Sequence, residues 1–133
     1  MASLKPVLIF GAGSFASLVA KYIERFTDWG IDGYTVDRAY CQGVQFNGRP
    51  LIPFDELTRQ DVERWDAVLA VGYSSSGNVR KHAFGELKEK GFTVRNFVHP
   101  TCECYTDELG EGNLLLENTV IGFGATLGNA NLI

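Results

Sequence analysis

The residues with the clearest chemical potential form a glycine turn, Gly11-Ala12-Gly13-Ser14-Phe15-Ala16, set between an apolar run at 6–10 and a helical stretch. In this Gly-x-Gly-x-x-Ala order, Gly11 permits a tight turn and Gly13 leaves room for a ligand beside the backbone. Ala16 lets the helix pack closely, and the helix start, with Ser14, offers unpaired N–H groups to a phosphate. Asp37 lies 21 residues past Ala16, at the end of a second strand, where a carboxylate commonly meets ribose hydroxyls. With strand, helix and acidic residue all in place, the pattern predicts nucleotide binding over a plain strand-to-helix connection. No Gly-Lys-Ser/Thr follows the turn, which excludes a Walker-type ATP site.

A second loop, Gly72 to Asn78, should open on the same edge of the sheet, the crevice where such sheets bind ligands. Gly72, Tyr73 and Asn78 are expected to line the site. Ser74, Ser75 and Ser76 offer further donors and acceptors, with a solvated loop as the plain alternative. For Asn78 the alternative is a helix cap. Arg80 could reach an anionic group. Arg38, just past Asp37, could meet phosphate or sugar, or be an ordinary surface arginine.

General acid–base chemistry is poorly provided for. The two histidines are His82, on a helix among Lys81, Glu86 and Lys88, and His99, before Pro100. Neither stands at a recognisable spacing from a nucleophile and an orienting carboxylate. Asp55-Glu56 and Asp107-Glu108 are adjacent in sequence and point apart. No catalytic residue is assigned. Cys102 and Cys104 would share one face of a strand, but no second ligand pair accompanies them, so reduced thiols are expected and no metal.

The elements that must position these residues alternate as strand and helix. Strands are expected at 6–10, 31–36, 66–71 and 92–98, with a short extended piece near 50–52. A helix from Ser14 to about Thr27 carries Leu18, Val19, Tyr22, Ile23 and Phe26 on one face. A short helix is expected around Phe54 to Leu57. Another runs from Asn78, with Val79, Ala83 and Leu87 recurring every four residues, to a stop at Gly91. This alternation implies an α/β fold with parallel strands joined by right-handed crossovers. About five strands are too few for two complete mononucleotide-binding halves, which favours a mononucleotide or nucleotide-linked ligand over NAD.

After His99-Pro100 the pattern changes. Leu109, Leu115, Ile121, Leu127 and Ile133 recur every sixth residue. Gly110, Gly122 and Gly128 follow three of them, and Asn113, Thr119, Ala125 and Asn131 lie four places on. A period of six fits neither helix nor simple strand and is the mark of a parallel β-solenoid of hexapeptides. The expected division is a Rossmann-like domain over 1–100 and the start of a left-handed parallel β-helix over 101–133. Stacked repeats need further coils and a cap, so the chain reads as an N-terminal piece of a longer protein.

Composition sets outer limits. The chain has 133 residues, 45% apolar and 21% charged, with a formal net charge of −4. It lacks the basic patch that nucleic-acid binding requires and any apolar run long enough to span a membrane. The N-terminus carries no signal-peptide pattern, and a cytoplasmic location is the default.

Four segments, in order, carry a family resemblance: Ile9-Phe10-Gly11-Ala12-Gly13-Ser14; Val71-Gly72-Tyr73-Ser74 with Asn78-Val79-Arg80; Phe97-Val98-His99-Pro100; and Leu109-Gly110-Glu111-Gly112. Together they resemble the bacterial sugar O-acyltransferases of the sialic acid O-acetyltransferase type, which include the N-acetyltransferases of UDP-4-amino-sugars. The resemblance implies a nucleotide-sugar-binding α/β domain and a left-handed β-helix that forms a homotrimer and binds acetyl-CoA between subunits. It implies acyl transfer to an amino or hydroxyl group of a nucleotide-linked sugar, with Gly11, Gly13, Ser14, Asp37, Gly72 and Asn78 lining the sugar-nucleotide pocket. It also places the family's catalytic histidine one or two coils beyond residue 133. A non-catalytic nucleotide or nucleotide-sugar binding module is the alternative, and an NAD-linked oxidoreductase a third reading.

Overall fold

In the computed structural model, residues 5–72 and 78–133 are described. Strand β1 (Val7–Phe10) lies at the centre of a sheet, flanked in parallel by β2 (Ile31–Val36) and β5 (Asp66–Leu69). Strand β4 (Arg49–Pro53) continues the parallel set beyond β2, and β3 (Gln45–Phe46) adds an antiparallel edge. Among the described residues the strand order is β3-β4-β2-β1-β5.

The apolar run of β1 follows from its being covered on both faces. Val7 and Ile9 pack with Ala16, Val19, Ala20 and Ile23 of helix α1 (Ser14–Phe26). Leu8 and Phe10 point the other way, onto Ala83 and Leu87 of helix α3 (Asn78–Lys90) and onto Trp65. A strand buried on both sides has no polar face to alternate with. Each of the valine, leucine and isoleucine side chains among them contributes about 1.5–3 kcal/mol on burial. Gly91 closes α3 at φ +107°, its N–H bonded back to the carbonyls of Leu87 and Lys88 at 3.2 and 3.0 Å. That is the glycine stop expected of it.

Three local features depart from the sequence expectation. The stretch 38–48, outside every strand and helix expected from the sequence, contains a hairpin turn: Asn47 (φ +51°) and Gly48 (φ +76°) form a two-residue turn between β3 and β4. Asn-Gly is the pair such a turn demands, because both central residues need positive φ. A short helix α2 (Arg59–Arg64) follows the 3₁₀ turn at Phe54–Glu56. Its start is a capping box, with the Thr58 N–H donating to Asp61 Oδ2 at 2.8 Å and Thr58 Oγ1 accepting from the Asp61 N–H.

The third departure is the strand expected over 92–98, which divides. Val94 bridges Ala67 beside β5, whereas β6 (Phe97–Val98) leaves the sheet and pairs in parallel with β8 (Leu114–Leu115). Strand β7 (Glu103–Cys104) likewise pairs with β9 (Val120–Ile121), and isolated bridges join Leu109 to Leu127 and Leu114 to Leu132. From Phe97 onward the chain therefore returns beside itself every seventeen or eighteen residues, three hexads at a time. Its left-handed corners recur every sixth residue, at Gly112, Asn118, Gly124 and Ala130, with φ between +60° and +77°. Gly110, Gly122 and Gly128 are not the corner residues. The first coil rests on α1: Phe97 and Leu114 belong to the core on that side, and the Tyr22 ring lies 5.7 Å from that of Phe97.

Candidate functional site

A cavity of about 880 Å³ opens at the C-terminal ends of β1, β2 and β5. Its floor is the glycine turn. Gly11 has φ +141° and donates its N–H to the Thr35 carbonyl at 2.9 Å; a Cβ there would collide with the Ala70 carbonyl oxygen. The fold itself requires this glycine. Gly13 differs, because its φ of −124° suits any residue and a Cβ would meet nothing within 4 Å. The missing side chain at Gly13 leaves space over the turn, and packing does not demand it.

Helix α1 starts at that point without a side-chain cap and without an acidic residue in its first turn. Its first intrahelical bond runs from the Ser17 N–H to the Gly13 carbonyl at 3.1 Å. The N–H groups of Ser14, Phe15 and Ala16 precede that bond and have no carbonyl partner within the helix. Such a helix start favours an anion.

The cavity brings together Gly11, Gly13, Ser14, Asp37, Gly72 and Asn78. Tyr73, with Ser74, Ser75 and Ser76, lies outside the described residues. The remaining two expected residues are placed elsewhere. Arg38 bonds Asp55 Oδ2 at 3.1 Å and pairs with Glu56, lining a separate cleft with Cys41. The Arg80 guanidinium is buried and donates to four main-chain carbonyls: Leu69, Val71, Gly112 and Ala130.

Among the further lining residues, sequence reasoning missed four with polar side chains, Tyr40, Gln42, His82 and Glu86. His82 is exposed, with 76% of its side chain accessible, yet it borders the cavity and bonds Glu86 Oε1 through Nε2 at 2.8 Å. The i, i+4 spacing of His82 and Glu86 was visible in the sequence; that α3 would turn this face toward Asp37 was not. Burial, then the Asp37 carboxylate, push the Glu86 carboxyl above its ordinary range; His82 acts in the opposite direction.

His99 belongs to the packing between α1 and the first coil. Its ring meets those of Tyr22, Phe26 and Phe97, and Nδ1 accepts the Thr101 N–H at 3.0 Å. Among the described residues no three His, Cys, Asp or Glu side chains gather as a metal site, and no helix is long and apolar enough to cross a membrane. Burial pushes the thiols of Cys41 and Cys102 up, which keeps them protonated.

No protein-family model matches the sequence, and no curated protein matches it. Solved structures do. The acetyltransferase domain of PglB from Neisseria gonorrhoeae, in complex with acetyl coenzyme A, superposes with a TM-score of 0.74 at 20% identity, covering 98% of this chain and 62% of that one. PerB from Caulobacter crescentus, in complex with CoA and GDP-perosamine, gives a TM-score of 0.72 at 16% identity, covering 98% of this chain and 60% of that one. A related structure describes the Caulobacter protein as a perosamine N-acetyltransferase. The chain thus spans about three-fifths of the length of the structures it resembles. At these identities the likeness is one of fold: this chain, with its parallel sheet and returning coils, shares the fold of these acetyltransferase structures.

Proposed function

We propose that this chain holds the substrate-binding part of an acetyl-CoA-dependent acyltransferase acting on an amino or hydroxyl group of a nucleotide-linked sugar. The carrying observation is the single cavity that collects Gly11, Gly13, Ser14, Asp37, Gly72 and Asn78 at the C-terminal edge of a parallel sheet. In this reading the sheet and helices up to about residue 100 are a Rossmann-like nucleotide-sugar domain. The N–H groups at the start of α1 take the diphosphate, and Asp37 takes a ribose hydroxyl. The returning coils are the start of a left-handed hexapeptide β-helix, which would assemble as a trimer in the cytoplasm and bind acetyl-CoA between subunits.

The reaction forms a bond from the sugar nitrogen or oxygen to the acetyl carbonyl carbon and breaks the C–S bond of the thioester. The proton lost by the nucleophile ends on the CoA thiol. The residues of this chain hold and orient the nucleotide end of the substrate; none is assigned to the proton transfer. The family resemblance puts that histidine further along the solenoid. The structures of PglB with acetyl coenzyme A and of PerB with GDP-perosamine support the choice of donor and acceptor.

A second reading, a nucleotide-sugar binding module without catalysis, is favoured by the state of the two histidines. His82 is paired to Glu86 on an exposed helix face, and His99 is packed among aromatic rings. Calorimetric titration with UDP-sugars, GDP-sugars and NADH tests both. Binding of a sugar nucleotide is the expected result; binding of NADH alone would sink both readings. Transfer of labelled acetyl from acetyl-CoA then separates enzyme from binding module.

A further inference from the structure

Arg80 lies in the first turn of α3 and is only 5% exposed. Its Nη1 donates to the carbonyls of Leu69 at 3.2 Å and Val71 at 2.6 Å. Nε donates to the Ala130 carbonyl and Nη2 to the Gly112 carbonyl, each at 3.0 Å. Leu69 ends β5, and Val71 and Gly72 form the lip of the cavity. Gly112 and Ala130 are left-handed corners in equivalent places on successive coils. One side chain therefore joins the lip of the pocket to two layers of the coil.

The chemistry of the group suits the task. A guanidinium is a planar fork of five donors that stays charged, so it can satisfy several buried carbonyls held in fixed directions. Lysine keeps the charge but offers it from a single point, and methionine fills the space with no donor. Val71 lies past the last residue of β5, so the Arg80 bond helps to set the direction in which the lip leaves the sheet.

We infer that Arg80 is a positioning residue: it fixes the Val71–Gly72 lip of the nucleotide pocket to the coil corners at Gly112 and Ala130, so that the coil shapes the pocket. The inference rests on the nucleotide reading above. It gives Arg80 a role through the backbone, in place of direct contact with a phosphate.

The test compares the full chain with Arg80→Met, Arg80→Lys and, as a control, Trp65→Phe, a core change at the opposite end of β5 that removes the bond from Trp65 Nε1 to Asp32. Each is titrated with UDP and with GDP at a fixed interval below its own melting temperature. For whichever diphosphate the parent binds, Arg80→Met should weaken binding about tenfold or more, Arg80→Lys should lose less, and Trp65→Phe should bind as the parent does. The salt dependence of binding should be the same in the parent and the methionine variant, since a positioning residue screens no phosphate directly. Equal affinity in Arg80→Met and the parent overturns the inference, as does an equal loss in Trp65→Phe. Arg80→Lys carries the comparison if the methionine variant does not fold. If the parent binds neither diphosphate, the nucleotide reading fails. The tie is then read from amide exchange in the free protein at Ala70, whose N–H bonds the Phe10 carbonyl at 2.9 Å between the two carbonyls that Arg80 holds: faster exchange in the Arg80 variants alone supports it and unchanged exchange overturns it.

Discussion

Asn113 Oδ1 accepts both the main-chain N–H and the Nδ2 of Asn131, at 2.8 and 3.0 Å, one coil further along. The same arrangement starts a coil earlier, where Asn96 Oδ1 accepts the Asn113 N–H at 2.9 Å. Asn113 is fully buried, and its own Nδ2 donates to the Gly128 carbonyl at 2.9 Å. The three asparagines form a ladder up one corner of the coil, in which Asn96 and Asn113 each supply the hydrogen bond that the next turn of backbone needs.

Asn113→Ala should therefore cost about 1–2 kcal/mol, because it takes the acceptor from two half-buried donors of Asn131 and opens a gap where the buried amide stood. Asn113→Asp should cost at least as much, since it keeps the acceptor, removes the donor and buries a charge. Urea denaturation of both variants checks this. A loss below about 0.5 kcal/mol in each would show that water replaces the ladder at little cost.

Ala130 is a left-handed corner at φ +60° with a Cβ, whereas Gly112, in the equivalent place one coil earlier, has none. An L-residue in that region costs about 1–2 kcal/mol, and glycine gives back part of the gain through the entropy of the unfolded chain. Ala130→Gly should raise stability by about 0.5–1 kcal/mol and leave the carbonyl that Arg80 uses in place. A lower melting temperature in this variant would mean that the corner is not under strain.

Gly11 and Gly13 should separate cleanly. Gly11→Ala places a Cβ against the Ala70 carbonyl at a positive φ, so a loss of more than about 2 kcal/mol is expected. Gly13→Ala meets no atom of the protein within 4 Å and should lower stability by no more than the about 1 kcal/mol set by its poorer capping. Its effect should fall on nucleotide affinity instead, which titration measures. Unchanged affinity in Gly13→Ala would remove the turn from the binding site.

What could be read from the sequence followed the range of the forces involved. The glycine turn and Asp37 are dictated by local spacing, and so are Val19 and Ile23 of α1 and Ala83 and Leu87 of α3; Leu18, Phe26 and Val79, expected on the same faces, are exposed. The hexad was equally plain, because Leu109 to Ile133 repeats it four times. The true corner residues were not, since Asn118 and Ala130 carry no glycine signal and only the backbone reveals their positive φ. Arg80 reads as an anion ligand in the sequence because the carbonyls it meets come from positions 11 residues before it to 50 after it. Glu86 was missed for a similar reason: nothing local connects a helix carboxylate to the end of β2.

Glu86 supplies a prediction with a sign. Burial and the neighbouring Asp37 raise its carboxyl in the folded protein above the ordinary value of 4.5. Between 4.5 and that raised value the folded state binds more protons than the unfolded chain. Stability contributed by this group is therefore present at low pH and lost as pH rises through the window. Above it, the folded protein holds a partly buried carboxylate beside another. Glu86→Gln has nearly the shape of the protonated acid and carries no charge, so it should melt higher than the parent at pH 7 to 8 by roughly the value of one unfavourable pairing, about 0.5–1 kcal/mol. The advantage should shrink as pH falls toward 4.5 and disappear below it. Loss of the His82 bond is a small offset, because that histidine is largely exposed. Melting curves of both proteins across this range decide the matter: a variant less stable than the parent at pH 8 would show that the Glu86 carboxylate is held by favourable contacts in the pocket and is not strained against Asp37.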